Sequence, residues 1–415
     1  MQTKPRSFQL LQWRLASVAI GLVVTLGFSG CPRTVPPEGL LLAYQSKTGA
    51  TGIPSIRVMV SIPTAGAMWT ESTPWNGTAF PEGDVPTGGV GAANDANSIG
   101  RLVGWVAGGA KTRMRYGLGS NWEAAIGERA HDFDENALDS APAIARHSEA
   151  AWLVAQKVNQ QSKIYLYVPN GQLFQDQDLQ DQTFTAFSRN HPVIATSGNR
   201  FVVADTLLGG TGTPSVQIVS GKLTATGIAN SQRLNPVFCV PPSCPSVVPI
   251  VTGEIVNTDG SRIHHVAVDV AVSEDGRGGF LLAVLEMPAQ PDSTPNQALM
   301  PINGENVTLK VVRTSAETFT RSDGFSIWSS LALQNNLPAG SAQFIQCVPF
   351  PGAADSVLVL TVGPAGRTGW KISPSGASTT AVTPLSPAAL ATIFSSAAPA
   401  SQPFALIRTG HSSAN

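Results

Sequence analysis

One apolar pattern recurs six times along the chain: LLLAY from Leu40, LVGWV from Leu102, WLVAQ from Trp152, FVVAD from Phe201, FLLAV from Phe280 and VLVLT from Val357. Successive copies begin 62, 50, 49, 79 and 77 residues apart. A period of this size means stacked supersecondary units, because each unit is too small to bury its own faces and must bury them against its neighbours. After a polar gap each copy is followed by a β-branched or alternating run: SIRVMVS from Ser55, TRMRYG from Thr112, KIYLYV from Lys163, SVQIVS from Ser215, VTLKVV from Val307 and GWKIS from Gly369. A further strand precedes four copies: PAIAR from Pro142, PVIAT from Pro192, HHVAVDVAV from His264 and QFIQCV from Gln343. All have the lengths and residue types of strands.

Three recognisable strands and a more variable fourth, repeated every 50 residues or more, make one blade of a β-propeller. The chain is therefore expected to be all-β, a six-bladed propeller over residues 39–415, with seven blades as the alternative because the two widest spacings leave room for part of another unit. Gly and Pro together make about 17% of the 415 residues, against roughly 12% in ordinary proteins, which suits many short elements joined by tight turns. Only 13% of residues are charged, half the usual quarter, so a solvated disordered polymer is excluded. The first copy lacks an inner strand. SQPFALIRT from Ser401 looks like SAPAIAR from Ser140, and no second strand follows it. The C-terminal strand is thus expected to complete the first blade and close the ring. Three long inserts, 69–90, 287–305 and 321–337, read as polar, Pro/Gly-rich loops, two of them carrying Trp69, Trp75 and Trp328.

Residues 1–30 read as a secretory signal: Lys4, Arg6 and Arg14 precede the apolar run Leu15–Phe28, which has the length of a signal core and is short for a membrane span. The residues before Cys31 resemble the lipobox of bacterial lipoproteins, with Phe28 in place of the usual Leu. That resemblance implies cleavage and lipidation of Cys31, with residues 31–38 (CPRTVPPE) as a Pro-rich tether of roughly 20 Å. Cleavage removes three basic residues and changes the formal charge from −1 to −4, so membrane attachment must come from lipid and not from a polybasic patch. Pro32 in place of Asp favours the outer membrane over the inner. The balance of 26 basic and 27 acidic residues excludes nucleic acid as a partner.

The order PxI, an apolar run, a gap, IxVxxS and an aromatic resembles the sialidase-like propeller family, whose blades carry an SxDxGxTW Asp-box after the third strand. Degenerate traces stand at SIPTAGAMW from Ser61, at GLGSNW from Gly117, at Asn170-Gly171 before Phe174, and at Ser315 before Phe319. The most literal string, SEDGRGGF from Ser273, lies between first and second strands and is counted as coincidence. Enzymes of that family use an arginine triad, a tyrosine–glutamate nucleophile and an aspartate acid/base; the early arginine motif is absent here. Arg146 and Arg408 follow inner strands at equivalent positions of two blades, where they can reach the axis and bind a ligand.

Cys239 and Cys244 bracket VPPS and are expected to form a disulfide, since a short proline-bearing loop brings two α-carbons within bonding range. Cys347, in FIQCVPF, reads as a buried small hydrophobe. Asp132, Asp134, Asn136 and Asp139 place oxygens as in the first half of a calcium loop but lack the turn glycine and the distal glutamate, so no cofactor is expected and calcium is the alternative. His264 and His265 face opposite sides of one strand and cannot share a metal. GxSxG, HExxH and GxxxxGK are absent. The functional expectation is a lipid-anchored envelope propeller acting as a non-catalytic binding or assembly module for a protein or glycan partner; the alternative is a sialidase-like glycan hydrolase.

Overall fold

The apolar runs are strands buried on both faces. Every residue of Val357–Gly363 is buried, and Arg200–Thr206 is buried from Phe201 onward. A strand placed so has no polar face to present, which is why these copies read as continuous runs. The computed structural model describes residues 39–48, 53–61, 70–71, 86–94, 100–107, 111–118, 141–148, 151–158, 161–168, 172–174, 191–206, 216–225, 227–239, 247–249, 254–256, 258–291, 299–302, 304–314, 325–328, 332–337, 344–351, 353, 355–363, 366–374, 380–393 and 404–409. All of them lie in one unit, Pro36–Asn415.

Among the described residues the strands form six sheets. The first runs Ala405–Thr409, Gly39–Thr48, Ile53–Ser61, Thr70–Glu71. The second runs Pro86–Asn94, Gly100–Ala107, Lys111–Leu118, and the third Ala143–Ser148, Ala151–Val158, Gln161–Val168, Gln172–Phe174. The fourth is Val193–Ser197, Arg200–Thr206, Val216–Thr224 and Gly227–Cys239, the last also pairing Val247–Pro249 and, in parallel, Phe325–Trp328. The fifth is Glu254–Val256, Arg262–Glu274, Phe280–Pro291, Val307–Thr314 and Ala332–Leu337, with Leu299–Pro301 added to the third of these. The sixth is Phe344–Pro349, Val357–Gly363, Gly366–Pro374, Thr380–Pro384; a short helix follows, Pro387–Ile393.

The C-terminal strand pairs antiparallel with the first, Leu406 opposite Leu42 and Arg408 opposite Leu40. Three stretches read as loops contain strands: Pro86–Asn94 overlaps the first insert, Phe280–Pro291 and Leu299–Pro301 enter the second, and Phe325–Trp328 and Ala332–Leu337 occupy the third. Pro86–Asn94 is rich in Gly and Ala for a steric reason. A Cβ on Gly91 would stand 1.8 Å from the Pro142 carbonyl oxygen, so only glycine allows the second and third sheets to approach this closely.

Each sheet uses the two-residue period of a strand to serve two neighbours at once. Leu41 and Ala43 pack with Val103 and Trp105 of the second sheet, while Leu40 and Leu42 pack with Leu358 and Leu360 of the sixth. Leu102 joins Trp152 and Val154; Leu153 and Ala155 join Phe201 and Val203. Val202 and Ala204 join Leu282 and Val284, and Leu281 and Ala283 join Val357 and Val359. The order of contact is cyclic, first through sixth and back to the first. A one-residue slip in any central strand would present each side chain to the wrong neighbour.

Polar links cross these seams at one repeated place, between the start of a third strand and the end of the next sheet's second strand. Thr112 donates to Gln156 Oε1 (2.8 Å), and the Ser162 hydroxyl donates to Asp205. Between the sixth sheet and the first, Arg367 stands beside Tyr44 in the corresponding place. The same place holds the buried apolar pairs Ile56 with Trp105 and Val216 with Val284 elsewhere.

Candidate functional site

The innermost strands of all six sheets border one cavity of about 180 Å3. Each of these strands sits at the end of its sheet, apart from Arg262–Glu274, which carries only the short Glu254–Val256 beyond it. Small residues such as Gly91, Ala92, Ala143 and Ala195 line the middle, and they let six strands converge.

One end of the cavity is aromatic. His191, Phe344 and Phe404 stand at the starts of their inner strands, all buried. The His191 imidazole stacks on Phe344 at 5.1 Å between centroids, and Phe344 meets Phe404 edge-on at 4.9 Å, within the range where ring pairs attract. Burial, reinforced by the Lys157 charge, lowers the His191 pKa to about 4. The ring is therefore neutral at pH 7. The unfolded chain takes up this proton near pH 6.5 and the folded chain only near 4, so acidification through that window favours unfolding. Stability should fall by up to roughly 1.4 kcal/mol per pH unit between those values, about 3 kcal/mol in all. Urea unfolding from pH 7 to 4.5 checks this, and His191→Phe should flatten the slope.

The other end is polar, and its residues come from one ladder position. Arg146 lies opposite Trp152, Thr196 opposite Phe201, Glu274 opposite Phe280 and Arg408 opposite Leu40, each the first residue of an apolar run. All four line the cavity. Both arginines singled out from the sequence thus line the same cavity. The Arg146 Nε is buried with no hydrogen-bond partner among the described residues.

Arg408 is seated against the turn that follows Glu274. A Cβ on Gly276, whose φ is +73°, would stand 1.6 Å from the Arg408 Nη1, so the guanidinium occupies space that only glycine leaves open. Within this turn the Asp275 carboxylate accepts from the N–H groups of Arg277 (2.7 Å) and Gly279 (2.8 Å). Arg313 lies 3.8 Å from both Asp275 and Asp355, and Arg277 pairs with Asp355. The string SEDGRGGF, set aside in the sequence as a chance match, holds the glycine against which Arg408 is seated.

Cys347 is buried, and burial pushes its thiol up to about 12, which makes it inert. His265 and Glu286 lie 3.4 Å apart, and Lys310 pairs with the same carboxylate, all on the fifth sheet away from the cavity lining. Cys31, Asp132, Asp134, Asn136, Asp139 and Cys244 fall outside the described residues, and of Cys239 only the backbone is described, at the end of its strand. The Asp-box-like traces after the third strands fall mostly outside them as well. No cluster of three metal-ligating side chains occurs among the described residues. The aromatic end and Glu274 were missed in the sequence, though alignment of the inner strands by their ladder partners brings both into register.

No family model matches the chain, and no curated protein matches it. Similar solved structures include TolB from Acinetobacter baumannii (12% identity, TM-score 0.41, covering 84% of this chain and 64% of that one). AofleA from Arthrobotrys oligospora is similar at 9% identity and TM-score 0.40, over 91% and 90% of the two chains. The Hadza microbial sialidase Hz136 is similar at 9% and 0.39, over 79% and 63%. The chain thus spans just under two thirds of the TolB and sialidase structures. Proteins of β-propeller type are among these neighbours.

Proposed function

We propose that the chain is a six-bladed β-propeller, exported and lipid-anchored through Cys31, that acts as a non-catalytic binding module with an axial site for a small anion. The observation that carries this reading is the cavity bordered by all six inner strands, with Arg146 and Arg408 brought to one ladder level at its polar end. The cyclic sharing of cores supports the ring, and the pairing of Ala405–Thr409 with Gly39–Ala43 supports its closure by the C-terminal strand. A glycan hydrolase needs two carboxylates about 5 to 10 Å apart. Glu274 is the one carboxylate among the described lining residues, which favours binding over hydrolysis. No cofactor is proposed; the loop holding Asp132 and Asp139 is read as solvated, and the Cys239–Cys244 bridge as a local staple.

The binding reading is tested by calorimetry with acetate on the full mature chain. Binding that Arg146→Gln weakens at least tenfold supports it, and the absence of acetate binding, or indifference to the substitution, overturns it. The anchor is tested separately. Cys31→Ser should move the protein from the envelope membrane fraction, outer membrane expected, to the soluble exported fraction; a mutant that is exported but still pellets with membranes refutes lipidation.

A further inference from the structure

We infer that the polar end of the cavity takes a small α-amino acid as its zwitterion, with the carboxylate on Arg146 and the ammonium on Glu274. This rests on the binding reading above and deepens it, because it gives the bound anion a second, positive charge.

Three polar residues stand on consecutive sheets at one ladder level. Arg146 lies opposite Trp152 on the third sheet, Thr196 opposite Phe201 on the fourth and Glu274 opposite Phe280 on the fifth. All three line the cavity. A cation, a hydroxyl and an anion thus follow one another around the axis. A ligand held there spans a single level and does not reach toward the aromatic rings at the far ends of the inner strands. An α-amino acid carries its two charges on groups joined through one carbon. The Thr196 hydroxyl, between them, can donate to the carboxylate or accept from the ammonium.

Arg146 creates the need for an outside anion. Its Nε is buried with no hydrogen-bond partner, and no ion pair joins Arg146 to a carboxylate among the described residues. Arg146 and Glu274 therefore border one space without neutralising each other. A carboxylate in the plane of the guanidinium fork meets both the open donor and the charge. Glu274 has contacts within the protein, but a carboxylate accepts from several donors at once and can receive an ammonium beside them. Arg408 plays a different part. Its guanidinium is seated against Gly276, two residues beyond Glu274, and steadies the turn that follows that carboxylate. One cation and one anion are left to face the ligand, which is the charge pattern that a zwitterion complements. The walls limit the ligand's side chain. Ala93 occupies the same level on the second sheet, opposite Leu102, and Ala195 lies one residue deeper. A methyl or hydroxymethyl group fits against such residues, in a cavity of about 180 Å3 that six strands share.

The test compares L-alanine, propionate and N-acetyl-L-alanine on the full mature chain by calorimetry at pH 7. Propionate is alanine without its ammonium, and acetylation removes the positive charge while keeping the carboxylate. L-alanine should bind roughly tenfold or more tightly than either, the gain expected of one further buried charge pair. Glu274→Gln should abolish that preference, and Arg146→Gln should weaken all three ligands. If propionate binds through Arg146 and L-alanine binds no better, the zwitterion is overturned and the anion site stands. If Glu274→Gln keeps the full preference for L-alanine, the ammonium is held elsewhere and the inference falls. If none of the three binds, the axial binding reading falls together with the inference. The wild-type comparison needs no variant, so a misfolded mutant leaves the outcome readable.

Discussion

Removal of Ser401–Asn415 should leave a chain that aggregates or is degraded, while removal of Gly410–Asn415 should leave one that folds. The longer cut takes away a strand whose five ladder pairs join the two ends of the chain. It also removes Phe404 and Leu406, 2% and 3% exposed, from the core shared by the sixth and first sheets. Burial of each such side chain is worth roughly 1.5 to 3 kcal/mol, against a total stability of about 5 to 15. The loss also exposes the edge of Gly39–Thr48 as a template for pairing with other chains. The shorter cut must stop at Gly410, because Arg408 and Thr409 still pair with Leu40 and Gly39. Thermal melting and soluble yield distinguish the two truncations. A longer truncation that melts with the wild type would mean that the pairing of Ala405–Thr409 with Gly39–Ala43 does not hold the fold together.

Lys310→Met should cost about 3 to 5 kcal/mol at pH 7.5, the usual penalty for leaving a buried carboxylate without its cation. Lys310 and Glu286 are 5% and 1% exposed, so water cannot take over the lost interaction. The penalty should shrink toward pH 5.5. In the wild type, burial outweighs Glu286 and holds the His265 pKa below its ordinary value, with Lys310 acting in the same direction as burial. Without Lys310, the imidazole 3.4 Å from Glu286 protonates more readily in the folded state than before. Acidification then restores part of the lost pairing. Replacing the partner too, as Lys310→Met with Glu286→Leu, should recover most of the stability, because two apolar side chains leave no buried charge. Urea titrations of the single and double variants at both pH values measure this. A single variant that loses under 1 kcal/mol at pH 7.5 would show that the pair is solvated.

What the sequence reveals divides along physical lines. Apolar runs such as Val357–Thr361 are legible because burial on both faces leaves no room for polar residues. Arg146 and Arg408 are legible because each follows the recognisable string of an inner strand, APAIAR and FALIR, although the structure places both within the strands Ala143–Ser148 and Ala405–Thr409 and not after them. Pro86–Asn94 is not, since the close approach at Gly91 selects residues that otherwise signal a loop. Ala332–Leu337 is not, because its sequence ALQNNL has neither a β-branched run nor alternation, and it pairs through its backbone at the outer side of the fifth sheet. The aromatic end escapes detection for another reason. His191, Phe344 and Phe404 are single residues at strand starts, and their meeting is decided by three separate ladders and by no local pattern.

The seam positions carry a consequence for how such a chain finds its own order. Six similar sheets invite out-of-sequence docking, the characteristic misassembly of repeat proteins. Their contact faces are nevertheless unlike: a hydroxyl meets an amide at Thr112–Gln156 and a carboxylate at Ser162–Asp205, a guanidinium meets a phenol at Arg367–Tyr44, and Val216 meets Val284. A sheet docked out of turn would set a valine against Asp205 or bury Arg367 against Val284, leaving a polar group stranded at a cost of about 1 to 3 kcal/mol or more. The seams thus mark each of the described sheets with a contact that fits its proper neighbour better than the others.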